Sequence, residues 1–230
     1  MENGISVVVC SRENTDESKK IVKHVQETCD CVVHVYFMYN PEGVGLSEIY
    51  NGMLEKVEND IVVFMHDDIT LLRKGWGKEL LNIFNNNKDY GIVGVAGTKQ
   101  FNENAMWWTT EKKYGQVLHR HEGKSWLTVY SPLLEKDVEE VCVVDGLFIA
   151  VHRKRITKKF DENTKFDMYD ICLCLDNYLD GKTKIGVTTK IRIAHNSIGQ
   201  MREGWYAARE YILKKYEDDL PIDIDKIKSK

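Results

Sequence analysis

The sequence predicts an α/β fold in which a mostly parallel sheet carries helices on both faces. Three observations predict it. Short apolar runs alternate with amphipathic stretches through residues 1–97, the order that builds parallel sheets from strand–helix–strand units. Those runs are unbroken rather than alternating, as strands covered on both faces should be. The chain has 230 residues, 43% of them hydrophobic and 30% charged, which is enough apolar content for one large core.

The elements follow in order. Residues 5–10 form a continuous β-rich run and give the first strand. Over residues 16–28, Ile21, Val22 and Val25 lie on one stripe, with Thr15 or Asp16 placed to cap a helix. Residues 32–38 give the second strand. Leu46, Ile49, Tyr50, Met53, Leu54 and Val57 recur with helical spacing. Residues 61–65 are the third strand, Leu80, Leu81 and Phe84 mark a helix over 76–84, and residues 92–95 are the fourth strand.

The pattern breaks over residues 98–138. This stretch holds Trp107, Trp108, Trp126, Tyr114, Tyr130 and the pair His119/His121. An aperiodic segment of this length is usually functional, so it is expected to be an excursion, with a hairpin, at the edge of a site. Order returns in 141–144 and 147–151, which flank Asp145-Gly146. Residues 166–179 have helical spacing, with Gly181 as a stop. Residues 184–193 read as a strand, and Trp205, Ala208, Ile212, Leu213 and Tyr216 line a last helix. The charged tail after Asp218 is expected to be loosely held. No repeat or linker divides the chain, so residues 1–230 are read as a single domain whose character changes near residue 98.

Composition narrows the function classes. A formal net charge of −4 does not favour a nucleic-acid partner. The apolar run at the N-terminus is short and has no basic segment before it, unlike a signal peptide. No stretch approaches the ~20 apolar residues that span a bilayer, and the expected location is cytoplasmic. Cys10 and Cys142 sit in apolar runs, while Cys29/Cys31 and Cys172/Cys174 have C-x-C rather than zinc-type spacing. A P-loop and a G-x-S-x-G elbow are absent, and 43-GVG-45 lacks the rest of a dinucleotide fingerprint.

Three constellations can carry chemistry. In 61-IVVFMHDDIT-70 a buried strand ends on His66-Asp67-Asp68. Adjacent carboxylates repel and resist dehydration, and a divalent cation relieves both penalties. Ligands in such folds bind beyond the carboxyl ends of the strands, where Ser11-Arg12-Glu13 also falls. In 166-FDMYDICLCL-175, Asp167 and Asp170 are three apart at a helix start. Asp170 lies among Tyr169, Ile171 and Leu173, surroundings that raise a carboxyl's proton affinity and suit a general base. His195, in 191-IRIAHNSIG-199, follows an apolar strand and completes a mixed Asp/His metal set if it reaches the same edge.

In order, the pieces 6-SVVVCSREN-14, 43-GVGLSEIYNGMLEKVENDIVVFMHDD-68, 144-VDGLFIAVHR-153, 160-FDENTKFDMYDICLCL-175 and 193-IAHNSIG-199 resemble the family-two inverting glycosyltransferases of the GT-A fold. They are most similar to the glycosyltransferase-like subfamily of bacterial surface-polysaccharide enzymes. The resemblance implies a Rossmann-like sheet, with residues 1–97 as the nucleotide-sugar half and 98–230 as the acceptor and catalytic half. It implies transfer of a sugar, with inversion, from a nucleotide-diphosphate donor to a glycan or lipid-linked acceptor. The implied cofactor is a divalent cation, Mn or Mg, and the implied donor a UDP-sugar.

Residue by residue, the resemblance puts Ser11, Arg12, Glu13, Asn51 and Asp67 on the donor, and Asp68 and His195 on the metal. Asp145, Gly146 and Tyr169 fall at the sugar and acceptor, and Asp170 at the catalytic base. The family's D-x-D motif begins at His66 under one alignment and is an intact Asp67-Asp68 under the other. Asp68 is the metal candidate in both. Asn40 stands near the place of a base-reading acid, and 200-QMREGW-205 departs from the processive Q-x-x-R-W motif, so a single transfer is expected. Contact with the inner face of a membrane is compatible with the aromatic last helix. Two other readings use the same layout: a non-catalytic sugar-binding protein, and a nucleotide-sugar pyrophosphorylase, whose glycine-rich first loop is missing from 10-CSREN-14.

Overall fold

The structure is a computed structural model that describes residues 4–199 and 201–227. Strands are β1 (Gly4–Ser11), β2 (Val32–Tyr39), β3 (Ile61–His66), β4 (Ile69–Leu71), β5 (Tyr90–Gly94), β6 (Ala96–Thr98), β7 (Gln100–Phe101), β8 (Lys113–His121), β9 (Lys124–Val129), β10 (Glu139–Val141), β11 (Val143–Val144), β12 (Phe148–His152), β13 (Lys184–Val187), β14 (Ile193–His195) and β15 (Ile222–Asp223). Helices are α1 (Lys20–Cys29), α2 (Leu46–Lys56), α3 (Trp76–Asn86), α4 (Tyr169–Asp180), α5 (Glu203–Lys215) and α6 (Ile224–Ile227).

The main sheet has the order β10-β13-β5-β12-β3-β1-β2. Strands β2, β1 and β3 are mutually parallel. Strand β12 lies antiparallel between β3 and β5, and β10 is antiparallel to β13. Strands β2, β1, β3, β5 and β13 therefore share one direction, and the sheet is mixed, though mostly parallel as expected.

Side-chain parity explains how both faces are covered. Phe148 pairs with Met65 across the β12–β3 ladder, so the two share a face, and Trp76 of α3 packs edge-on against Phe148 at 5.8 Å. The Trp76 indole donates to Thr28 Oγ1 at 3.1 Å, which ties α3 to α1 on this face. Phe64 points the other way and meets Tyr50 of α2 at 4.4 Å and Phe160 at 5.1 Å. Tyr50 in turn touches Tyr169 of α4 at 5.7 Å. His66 has the parity of Phe64, so it projects towards α2 and α4, away from α1 and α3.

A second sheet, β11-β6-β8-β14-β4 with β9 beside β8, forms beyond the end of β3. The expected hairpin in 98–138 is β8–β9, paired from Gln116–Val129 to His121–Lys124. The predicted strand over 184–193 is instead two strands in different sheets. Thr188 Oγ1 accepts from the Lys190 amide at 3.2 Å, and this local side-chain bond turns the chain out of the ladder. Regular helix begins at Lys20 rather than 16, because Thr15 and Ser18 exchange hydrogen bonds of 3.1 and 3.0 Å in a preceding turn. Gly181 ends α4 as expected, at φ 70°.

The tail is docked, contrary to expectation. Strand β15 pairs with β7, and Ile222 and Ile224 are buried. Lys112 bridges Asp223 and Asp225 at 2.9 Å each, and Gln100 donates to Asp223 at 3.1 Å. The acids that read as a solvated run answer lysines more than a hundred residues away. The six cysteines form no disulfide. Among the described residues, no helix is long and apolar enough to cross a membrane. Ile222→Ala should cost about 2–5 kcal/mol in urea unfolding. A loss below about 0.5 kcal/mol, typical of a surface site, would mean that the tail is not anchored.

Candidate active site

The site begins where β3 ends. The chain turns at Asp67-Asp68 and enters β4, which pairs antiparallel with β14 so that His195 lies opposite Ile69. On its other side β14 runs parallel to β8, setting His195 beside His119. Asn196 fixes the turn by donating its backbone and side-chain amides to the Asp68 carbonyl, at 3.0 and 2.7 Å. His195 Nε2 stands 3.3 Å from Asp68 Oδ2 and 3.0 Å from Ser197 Oγ.

Burial works to raise the Asp68 carboxyl. Hydrogen bonds from His195 and Ser197, with the charge of the nearby imidazoles, outweigh it and hold the group at about 2. His66 is lowered as well, which for a histidine favours the neutral form. Burial lowers its proton affinity, helped by His195 and opposed by Asp68, Asp145 and Asp67. Ligand atoms of His66, Asp68 and His195 lie within 4.8 Å of one another. A neutral imidazole and an ionised carboxylate are the forms that coordinate a cation.

A second group of carboxyls faces this cluster from α4 and the 145–147 turn. The Trp107 indole donates to Asp145 Oδ2 at 3.1 Å, and the Leu147 amide to Oδ1 at 2.9 Å. Asp170, in the first turn of α4, is pushed up to about 7 by burial and then by the Asp145 charge, against stabilising amides of Ile171 and Gly146. Gly146 is the point of closest approach. A Cβ there would stand 2.7 Å from the Tyr169 hydroxyl and 3.1 Å from Asp170 Oδ2. Burial also raises Asp167, against the Arg202 charge.

Two cavities meet at His66, which lines both. One, of about 320 Å³, is bounded by Ser11, Arg12, Glu13, Asn40 and Asp67, with the Arg12 guanidinium 5.2 Å from the Phe166 ring. The other, of about 450 Å³, has Trp107, Trp108, Tyr130 and Trp205 on its walls and Asp145 and His195 within it. The expected donor residues Ser11, Arg12, Glu13 and Asp67 thus share one cavity. Asp68 and His195 are together, and Asp145, Gly146 and Asp170 are together.

Two expected residues sit elsewhere. Asn51 does not line the cavity that holds Ser11, Arg12, Glu13 and Asp67; its side-chain amide bonds to the Phe160 carbonyl, the Glu162 carboxylate and the Phe160 amide, each at 2.9 Å. It pins the approach to α4. Tyr169 is 4% exposed and, like Asp68, Gly146 and Asp170, is not among the residues lining either cavity. Its hydroxyl lies beneath the site, between His66 and Gly146. Asn40 likewise spends its side chain closing its own loop through Val44, at 2.7 and 2.9 Å. Residue Gln200 of 200-QMREGW-205 lies outside the described residues.

Sequence reasoning located the aromatic excursion but not its partners. His119 and His121 share a face on β8, and His119 stacks on Trp126 at 5.4 Å and lines the aromatic cavity. The alternation of a strand is the signal that could have found them.

Residues 6–216 match a family described as a glycosyltransferase-like family. No curated protein matches the sequence. Among solved structures the fold is similar to GalNAc-T7, solved with UDP, GalNAc and Mn²⁺, at TM-score 0.57 and 10% identity over 95% of this chain and 49% of that one. It is similar to S. aureus TarS at 0.54 and 13%, over 94% and 40%. It is also similar to the mannosyltransferase PcManGT from Pyrobaculum calidifontis, solved with GDP-Man and Mn²⁺, at 0.52 and 9%, over 95% and 64%. The chain therefore spans between 40% and 64% of the length of these chains. The shared architecture is the GT-A fold.

The raised carboxyl gives a stability test. In an unfolded chain Asp titrates near 3.9, whereas folded Asp170 titrates at about 7. Between those values the unfolded chain releases a proton that the native protein keeps, so this group's contribution to stability falls as pH rises and levels off above about 7. Asp170→Asn should match the parent near pH 4 and exceed it at pH 8 by roughly 1–4 kcal/mol, read by urea unfolding. A difference that is the same at both pH values would show an unperturbed carboxyl.

Proposed function

This chain belongs to the glycosyltransferase-like family, and from that premise we propose that it moves a sugar, with inversion, from a nucleotide-diphosphate donor to an acceptor hydroxyl in a cation-dependent reaction. The observation that carries this reading is the His66–Asp68–His195 cluster, set between two cavities and beside a carboxyl of raised proton affinity.

The donor set fits a divalent cation. Two imidazoles and one carboxylate are borderline ligands that suit Mn²⁺ better than Mg²⁺, which prefers oxygen. When bound, such an ion supplies positive charge to the diphosphate leaving group. Ser11, Arg12, Glu13 and Asp67 would hold the nucleoside and its ribose in the smaller cavity. A uridine-linked sugar is the first donor to test, since UDP and GDP-Man accompany Mn²⁺ in the similar folds.

Asp170 would take the proton of the attacking hydroxyl. A base whose affinity sits near the operating pH accepts a proton readily and remains partly ionised. Inversion needs one such carboxylate, unlike the two-carboxylate retaining scheme of many hydrolases. Trp107 fixes Asp145 at the floor of the aromatic cavity. The indole and phenol faces of Trp108, Trp205 and Tyr130 would meet the apolar faces of a sugar acceptor. A glycan or lipid-linked acceptor in surface polysaccharide synthesis, handled in the cytoplasm, fits this reading.

UDP should raise the melting temperature with Mn²⁺ and lose most of that effect in chelator or in Asp68→Ala, because only ligand bound to the native state stabilises it. Equal stabilisation in chelator would remove the metal role. With a donor identified by slow hydrolysis in the absence of acceptor, Asp170→Asn should retain donor binding and lose about 10²–10⁴-fold in transfer. Unchanged turnover would remove the base assignment.

A further inference from the structure

The buried hydroxyl of Tyr169 joins the metal cluster to the Gly146 turn. His66 Nε2 lies 3.1 Å from Tyr169 Oη, and Tyr169 Oη lies 3.2 Å from the Gly146 carbonyl oxygen. A phenol has one proton to give. The Gly146 carbonyl can only accept and the Tyr50 hydroxyl is a further partner of the phenol; with the phenol's one proton given to either of these, the His66 contact is satisfied only if Nε2–H donates to the phenol oxygen. The reverse arrangement would leave two lone pairs facing each other at 3.2 Å in a buried setting.

We propose that Tyr169 is a positioning residue that fixes His66 as its Nε2–H tautomer, so that Nδ1 is the nitrogen His66 offers to a cation shared with Asp68 and His195. Histidines that bind metals commonly donate their other N–H to a neighbour, which orients the ring and raises its basicity. Here the neighbour is neutral and held on three sides. Tyr169 is packed edge-on against Tyr50 at 5.7 Å and lies tilted against Phe160 at 6.1 Å. Its hydroxyl stands where a Cβ at residue 146 would intrude to 2.7 Å, so the bridge requires glycine there. Because Tyr169 and Asp170 are adjacent in the first turn of α4, one helix terminus sets both the histidine and the carboxyl expected to act as base. This inference rests on the proposed cation site, but the tautomer can be measured without any ion.

Two measurements test it. In metal-free protein labelled with ¹⁵N-histidine, the ring spectrum should show His66 protonated on Nε2 alone; a proton on Nδ1 would overturn the proposal. Tyr169→Phe removes only the hydroxyl, and Mn²⁺ binding followed by electron paramagnetic resonance should weaken by about 10- to 100-fold while the fold, read by circular dichroism, is kept. Unchanged Mn²⁺ affinity in folded Tyr169→Phe would also overturn it. If the parent protein binds no Mn²⁺, the cation-dependent reading fails, and the tautomer alone decides the role of Tyr169.

Discussion

Two adjacent carboxylates close a strand that is buried on both faces, and much of the surrounding topology answers that charge. Asp68 is half-buried, where an unpartnered carboxylate is costly. Its partners are His195 and Ser197, with Asn196 bound to its carbonyl. All three come from the end of β14, which reaches β4 only because the chain leaves the main sheet after β13. The Thr188–Lys190 turn that breaks the predicted strand therefore makes the pairing of Asp68 possible. Helix α1 supports the far end of β4, where the Leu71 amide donates to His24 Nε2 at 2.9 Å.

The two carboxyls assigned to chemistry are driven in opposite directions by their surroundings. Asp68 is held at about 2 by donors and imidazole charge. Asp170 is raised to about 7 by burial and by Asp145. One environment favours the ionised carboxylate, which suits the ligand role proposed for Asp68, while the other favours a carboxyl that exchanges its proton near neutrality, which suits the base role proposed for Asp170. Paired groups pushed apart in this way are how one site separates its acid–base roles. Gly146 makes the separation possible, because only a residue without a side chain lets α4 come this close to the 145–147 turn.

Much of this was legible in the chain. The apolar runs gave the central strands to within a residue or two, since burial on both faces leaves a one-dimensional signal. His66, Asp67 and Asp68 were found because charge directly after such a run is locally anomalous. Pairings between distant segments were not legible. Ile222-Asp223 read as solvent-facing because Lys112 and Gln100 are invisible from the tail. The amide of Asn51 fits a ligand as well as it fits the Phe160 backbone, and only the fold chooses between them. Tyr169 shows the same limit: the resemblance put it at the sugar and acceptor, whereas its buried hydroxyl lies between His66 and Gly146.

Under the alignment that puts His66 at the first place of the acidic motif, the electrostatics of the cluster differ from those of a two-carboxylate motif. A carboxylate there would add a second negative charge beside Asp68 in a partly dehydrated corner. His66 adds no such negative charge, and the His195–Asp68 contact holds that end of the cluster together. Ser197 Oγ, 3.0 Å from the same His195 nitrogen that faces Asp68, adds a further polar contact at that end of the cluster. The cluster is thus preorganised by the charge balance that a second carboxylate would have destroyed.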